Sequence, residues 1–93
     1  MKLEIYLPLE HKKETDIAIS ECIDNFGGCT VVKGDGHWKN DSGKLYSEPV
    51  KVVSVYCSNE NYVLDLKNIA RRYKQAAKQE AVLIAVDGQP QYI

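Results

Sequence analysis

Trp38 is the only tryptophan of the chain, and it follows His37 directly after a Gly34-Asp35-Gly36 segment. An indole held in the open is a stacking surface for a flat ligand such as a nucleobase. Packing at an interface between two copies of the chain is the plainer use of the same ring. An imidazole beside it has the chemistry of a general base, although a lone histidine is more often an ordinary surface group. Neighbouring strand residues point to opposite faces, so His37 and Trp38 are expected to part company. Gly34-Asp35-Gly36 offers backbone N–H groups to an anion, or a bulge that re-aims the strand. It opens no helix and matches no phosphate-binding loop.

Other polar and aromatic residues extend this set. Tyr46 and Tyr56 lie an even number of positions apart on one predicted strand and share a face if that strand runs regularly. Tyr62 and Tyr73 add further rings with hydroxyl handles. Arg71 and Arg72 stand among Lys67, Lys74 and Lys78. Guanidinium forks suit phosphate or carboxylate, and a solvated helix face is the alternative use. Lys33 and Lys51 on a predicted hairpin would add positive charge. Glu48, Gln79 and Glu80 lie at strand ends and loops, and a carboxylate pair there requires Glu48 and Glu80 to meet.

Complete catalytic or metal-binding sets are missing. There are two histidines, His11 and His37, and three scattered cysteines, Cys22, Cys29 and Cys57. They form no Cys-x-x-Cys and no zinc-ligand spacing. Asp35 and Asp41 fit no calcium loop. No metal and no cofactor are expected, and the cysteines read as small buried hydrophobes of a reducing compartment.

The chain has 93 residues, 44% of them apolar and 27% charged, which is the make-up of one small soluble domain. Twelve basic residues against thirteen acidic ones give a net charge of −1. That balance argues against general nucleic-acid binding, which phosphate contacts drive. Met1–Leu9 contains no signal-peptide core and no segment reaches the length of a membrane span, so a cytoplasmic location is expected.

The patterning supplies the elements that must position these residues. Leu3, Ile5 and Leu7 alternate with Lys2, Glu4 and Tyr6 in a half-buried strand that Pro8 ends. Thr15 is expected to cap a helix whose Ile19, Cys22, Ile23 and Phe26 form one apolar face. Gly27-Gly28 terminates it. Cys29–Lys33 reads as a strand, interrupted by a bulge at Gly34–Gly36 and resumed by His37–Lys39. Asn40-Asp41-Ser42-Gly43 is a turn. Lys44–Cys57 returns as the third strand, with Pro49 marking an irregular or edge position. Tyr62–Lys78 is a helix buried through Leu66, Ile69, Ala70, Tyr73 and Ala77. Ala81–Val86 is a strand apolar on both faces. Asp87-Gly88 is a turn, after which residues 89–93 pair as a short strand or trail free.

The order β-α-β-β-α-β builds an α+β, ferredoxin-like sandwich, an antiparallel sheet with two helices on one face. Its other face would lie open, and a second copy is the usual cover, by sheets facing or edge strands exchanged. A homodimer is therefore expected.

From Phe26 to Ala85 the chain resembles a family of small bacterial proteins of unknown function. The shared pattern is carried by Gly28, Thr30, Val31, Gly36, Trp38, Gly43, Glu48, Val52, Val53, Tyr73, Lys74, Gln79, Glu80, Val82 and Leu83. Members of that family typically carry a secretion leader. This chain begins without one and has Pro49 after Glu48, like a cytosolic or phage-type relative. The resemblance implies a dimeric, ferredoxin-like α+β fold and supplies no established activity.

The function expected first is binding without catalysis, of a planar, anionic, nucleotide-like molecule in a pocket at the sheet or dimer interface. By analogy with small phage proteins, sequestration of a signalling nucleotide is its concrete form. Trp38 and Tyr56 would stack, Thr30 and Glu48 would hydrogen-bond, and Lys33, Lys51, Arg71 and Arg72 would offset negative charge, with His37 alongside. The alternatives are a protein-interaction or structural subunit, or a cofactor-independent oxygenase- or isomerase-like enzyme with His37 as base.

Overall fold

A computed structural model describes residues 1–93. Its elements are β1 (Lys2–Pro8), α1 (Lys12–Phe26), β2 (Thr30–Lys39), β3 (Leu45–Tyr56), α2 (Asn61–Ala76), β4 (Leu83–Val86) and β5 (Gln89–Tyr92). The strands form one sheet in the order β2-β3-β1-β4-β5, and every neighbouring pair is antiparallel. The helices pack on one face. This is the ferredoxin-like α+β arrangement, extended at one edge by β5.

Alternation on β1 sets the core. Leu3, Ile5 and Leu7 are fully buried, flanked by Val53 and Val55 of β3 and Ile84 of β4. Ala18 and Cys22 of α1 close over them, with Leu66, Ile69, Ala70 and Tyr73 of α2 and Ala77 just beyond it. The α2 stripe is the one its spacing predicts. The α1 stripe is so in part: Cys22 is buried and Ile19 and Phe26 pack against the core, but Thr15 and Ala18 join it and Ile23 is about half exposed.

Thr15 is no cap. The helix begins at Lys12, and the Thr15 hydroxyl donates 2.9 Å to the Pro8 carbonyl at the end of β1. The Tyr73 hydroxyl reaches the same carbonyl at 3.4 Å. A strand-end acceptor inside the core thus takes hydroxyls from both helices, which answers the cost of burying it. Gly27 does end α1, at φ +81°, with its N–H on the Ile23 carbonyl.

The Gly34–Gly36 segment holds no bulge. Gly34, Asp35 and Gly36 pair with Val50, Pro49 and Glu48 in unbroken register. Pro49 explains why the ladder survives. Its carbonyl accepts the Leu9 N–H, so its peptide edge faces β1. In an antiparallel strand a residue's N–H and C=O point the same way, so the missing N–H costs no bond toward β2.

Asp87 and Gly88, at φ +50° and +81°, make the tight two-residue turn that folds β5 back on β4. The helices rest on β1 and β4, so β2 and the facing half of β3 stand bare on both faces as a long hairpin arm.

The double use of Pro8 gives a direct test. Thr15→Val keeps the side-chain shape and removes the shorter of the two hydroxyl bonds. Urea unfolding should show a loss of about 1–3 kcal/mol, the usual cost of stranding a buried polar group. An unchanged midpoint would mean that Tyr73 satisfies the carbonyl alone.

Candidate functional site

The tip of the arm is shaped by Asn40. Its side-chain oxygen accepts from the Ser42 N–H, the Ser42 hydroxyl and the Lys44 N–H, at 2.8–3.0 Å. Gly43 supplies the positive φ of +86° that the turn needs. This closure sets Trp38 directly opposite Tyr46. Their rings stack with centroids 5.3 Å apart and planes 10° from parallel. Asn40 Nδ2 donates to the Tyr46 hydroxyl at 3.4 Å, and the Lys44 ammonium lies 5.1 Å from the Tyr46 ring centre.

Trp38 keeps 46% of its surface exposed and Tyr46 38%. A shallow depression of about 510 Å³ is lined there by His37, Trp38, Lys39, Leu45, Tyr46 and Ser47. His37, Lys39, Leu45 and Ser47 alternate to the face opposite the rings, and the stack itself carries aromatic surface, the Tyr46 hydroxyl and the Lys44 ammonium. Such a set suits a flat molecule with polar edges.

Alternation places the other residues. Trp38, Gly36, Gly34, Val32 and Thr30 share the sheet face away from the helices with Tyr46, Glu48, Val50, Val52, Ser54 and Tyr56. His37, Lys33 and Lys51 lie on the helix side, so His37 and Trp38 do part. Tyr56 pairs with Lys2 at the far end of β3, ten positions from Tyr46, or roughly 33 Å along the strand. Within one protomer it does not join Trp38, and Tyr46 holds that place. The signal was available in the four-residue turn, whose closure sets the hairpin register.

The basic residues do not converge either. The outer surface of α2 carries Arg71, bonded to Asn68 at 2.9 Å, and Arg72, bonded to Glu21 of α1 at 2.6 and 3.0 Å. Burial of the α2 apolar stripe turns these side chains away from the sheet. Lys51 lies 3.9 Å from Asp16, which also takes Lys12 at 2.7 Å. Thr30 pairs with Ser54 at the other end of β2 from Trp38.

Glu48 sits opposite Gly36, two positions along from the stack. Burial pushes its carboxyl above the usual range, and the charge of Glu10 adds to that shift while His11 opposes it. Glu10 lies 3.1 Å from His11, which meets Gln79 at 2.9 Å. The charges felt by Glu48 are therefore those of the β1–α1 loop, and Glu80 is exposed. The three cysteines are free. Burial pushes the Cys22 thiol up to about 12 and raises that of Cys29. No three His, Cys, Asp or Glu side chains gather as a metal-ligand group, and no helix is long and apolar enough to cross a membrane.

A family model for proteins of unknown function, DUF3574, matches residues 9–91. The chain belongs to this family. No curated protein matches it significantly. Two solved structures share its fold. A phage SAM lyase in complex with S-methyl-5'-thioadenosine aligns over 99% of this chain and 87% of its own, with a TM-score of 0.68 and 17% identity. A phage SAM lyase in the apo state aligns over 98% and 78%, with a TM-score of 0.68 and 13% identity. At such identities the likeness is one of fold.

The raised carboxyl of Glu48 has a signed consequence. A carboxyl held above its unfolded value takes up protons on folding, so its contribution to stability falls as pH rises through that interval. Glu48→Gln should therefore unfold at higher denaturant than the parent at pH 7, with the gap closing below about pH 4, near the unperturbed glutamate value. A gap that stays constant with pH would remove Glu48 as its source.

Proposed function

We propose that this DUF3574 protein binds a small, planar, nucleoside-like molecule on the hairpin arm, without transforming it, and does so as a homodimer. The observation that carries this reading is the parallel Trp38–Tyr46 stack, held half-exposed beside Lys44. One indole face rests on Tyr46, and a base stacked on the other would continue the pile. Glu48, on the same sheet face, is an acceptor for sugar hydroxyls, and the Lys44 ammonium is there for a single negative charge. The shared fold adds support, because one protein of this shape holds S-methyl-5'-thioadenosine. Sequestration of a signalling nucleotide in a phage-infected cytoplasm is the concrete form of the proposal.

A second reading is enzymatic. The fold neighbours are lyases, and a carboxyl raised by burial is the usual form of a catalytic acid or base. His37 on the helix-side face is poorly placed to serve a ligand on Trp38, so Glu48 takes the role of base in this reading.

Isothermal calorimetry with S-methyl-5'-thioadenosine, adenosine and cyclic or linear nucleotides decides between these. Saturable binding should weaken by roughly 5- to 150-fold in Trp38→Ala, the equivalent of about 1–3 kcal/mol for one base stack, with the circular dichroism spectrum unchanged. Equal affinity in that variant would reject the arm as the site. Absence of heat with every compound would return weight to an interaction subunit. Incubation with SAM followed by release of S-methyl-5'-thioadenosine, lost in Glu48→Gln, would replace the binding reading with the enzymatic one.

A further inference from the structure

The two edges of the sheet are built differently. β5 is four residues long and contains Pro90, both of which discourage pairing with another chain. β2 is ten residues long, has no proline and no bulge, and is exposed along nearly its whole length. Its outward hydrogen-bonding groups can be identified. The peptide edge of Pro49 faces β1, so Asp35, opposite it, is in a pair that exchanges no bonds, and its own N–H and C=O point to the free edge. The Asn40 N–H bond to the Lys44 carbonyl has the complementary phase. Val31, Lys33, Asp35, His37 and Lys39 therefore present a row of unpaired donors and acceptors.

We propose that a second copy of this chain pairs with that edge, β2 antiparallel to β2, about a two-fold axis at Gly34. It deepens the homodimer reading given above by naming the interface. Charge selects the register. With the axis at Gly34, Lys33 faces the partner's Asp35 and Asp35 faces the partner's Lys33, on hydrogen-bonded positions. An axis at Asp35 would set Asp35 against its own copy, and one at Lys33 would oppose two ammonium groups. Neither Lys33 nor Asp35 has an ion-pair partner within the chain, so both charges are free for this contact. Gly34 meets its copy at a non-hydrogen-bonded position, where Cα atoms come closest, and the space beside its Cα is empty. A two-fold contact repeats each pairing, so the interface closes at two copies.

The pairing also completes the candidate site. On the sheet face away from the helices, Trp38 lies opposite the partner's Thr30, and Gly36 opposite the partner's Val32. A ligand stacked on Trp38 would then have a hydroxyl and an apolar wall from the other protomer. Thr30 and Trp38, far apart on one β2, become neighbours across two.

Sedimentation equilibrium tests the interface, independently of any ligand. The parent should have twice the 10.5 kDa mass of one chain. Lys33→Asp and Asp35→Lys should each sediment as monomers with unchanged circular dichroism, and the double swap should restore the dimer. Mixed in equal amounts, the two single variants should pair with each other, because an Asp/Asp strand then faces a Lys/Lys strand. A monomeric or trimeric parent would overturn the proposal. So would a dimer that ignores both single swaps but is lost in Val52→Lys, which would place the contact on the open sheet face. Calorimetry on a proven monomeric variant reads the ligand separately: binding retained there would leave the binding reading standing and reject the shared site.

Discussion

Leu3, Ile5 and Leu7 form a single apolar line beneath both helices, and the reach of that cover decides what the rest of the molecule can do. A helix with its side chains is about 10 Å wide, and strands repeat at about 4.8 Å. Two helices therefore roof about four strands. This sheet has five, and the helices are seated on β1 and β4. Both edges stay bare, β5 over its four residues and β2 over nearly all of its ten. Val31, on the helix side, is exposed for this reason, and Val32 because it lies on the face that no helix covers.

An arm without a roof has to hold itself. A free two-stranded ribbon is marginal in water, so local contacts count for more here than in the core. The ladder to β3, the Asn40 turn and the Trp38–Tyr46 pair are what is available. An aromatic pair contributes about 0.5–1.5 kcal/mol beyond its buried area. The ring that offers itself to a ligand is thus also part of what keeps the arm in shape. Ligand stacking and arm order are coupled through the same contact, since anything that binds only the ordered arm stabilises it by mass action.

The fold was readable because its periods are clean. β1 alternates, α2 carries a wide apolar stripe, and the turns are marked by Asn40–Gly43 and Asp87-Gly88. What misled were residues with two uses. Thr15 looks like a cap and serves a strand end. Gly34 and Gly36 look like a bulge and run straight, because Pro49 faces the other way. Ile23 fits an apolar face that Ala18 takes instead, since a small residue lets α1 approach α2. For the candidate site, the shared face of Tyr46 and Tyr56 was legible from parity, while Tyr56 was set beside Trp38 without a register. Parity tells which face a residue takes, and only register tells how far along. The arginines show the same limit. Their charge was plain, but helix rotation, set by packing, points them away from the sheet.

That dispersal of charge bears on the kind of ligand. Arg72, Lys12 and Lys51 are all engaged by carboxylates on the helix side. On the face of the stack Lys44 is the one ammonium beside the rings and Glu48 the carboxylate of the same strand, while Lys39 alternates to the opposite face. A di- or triphosphate needs several convergent cations or a nest of backbone N–H groups, and the straight Gly34–Gly36 ladder has spent its inward N–H groups on β3. A stacking surface with one carboxylate nearby is better matched to a base carrying sugar hydroxyls. The arm therefore favours a nucleoside, neutral or singly charged, over a nucleotide rich in phosphate.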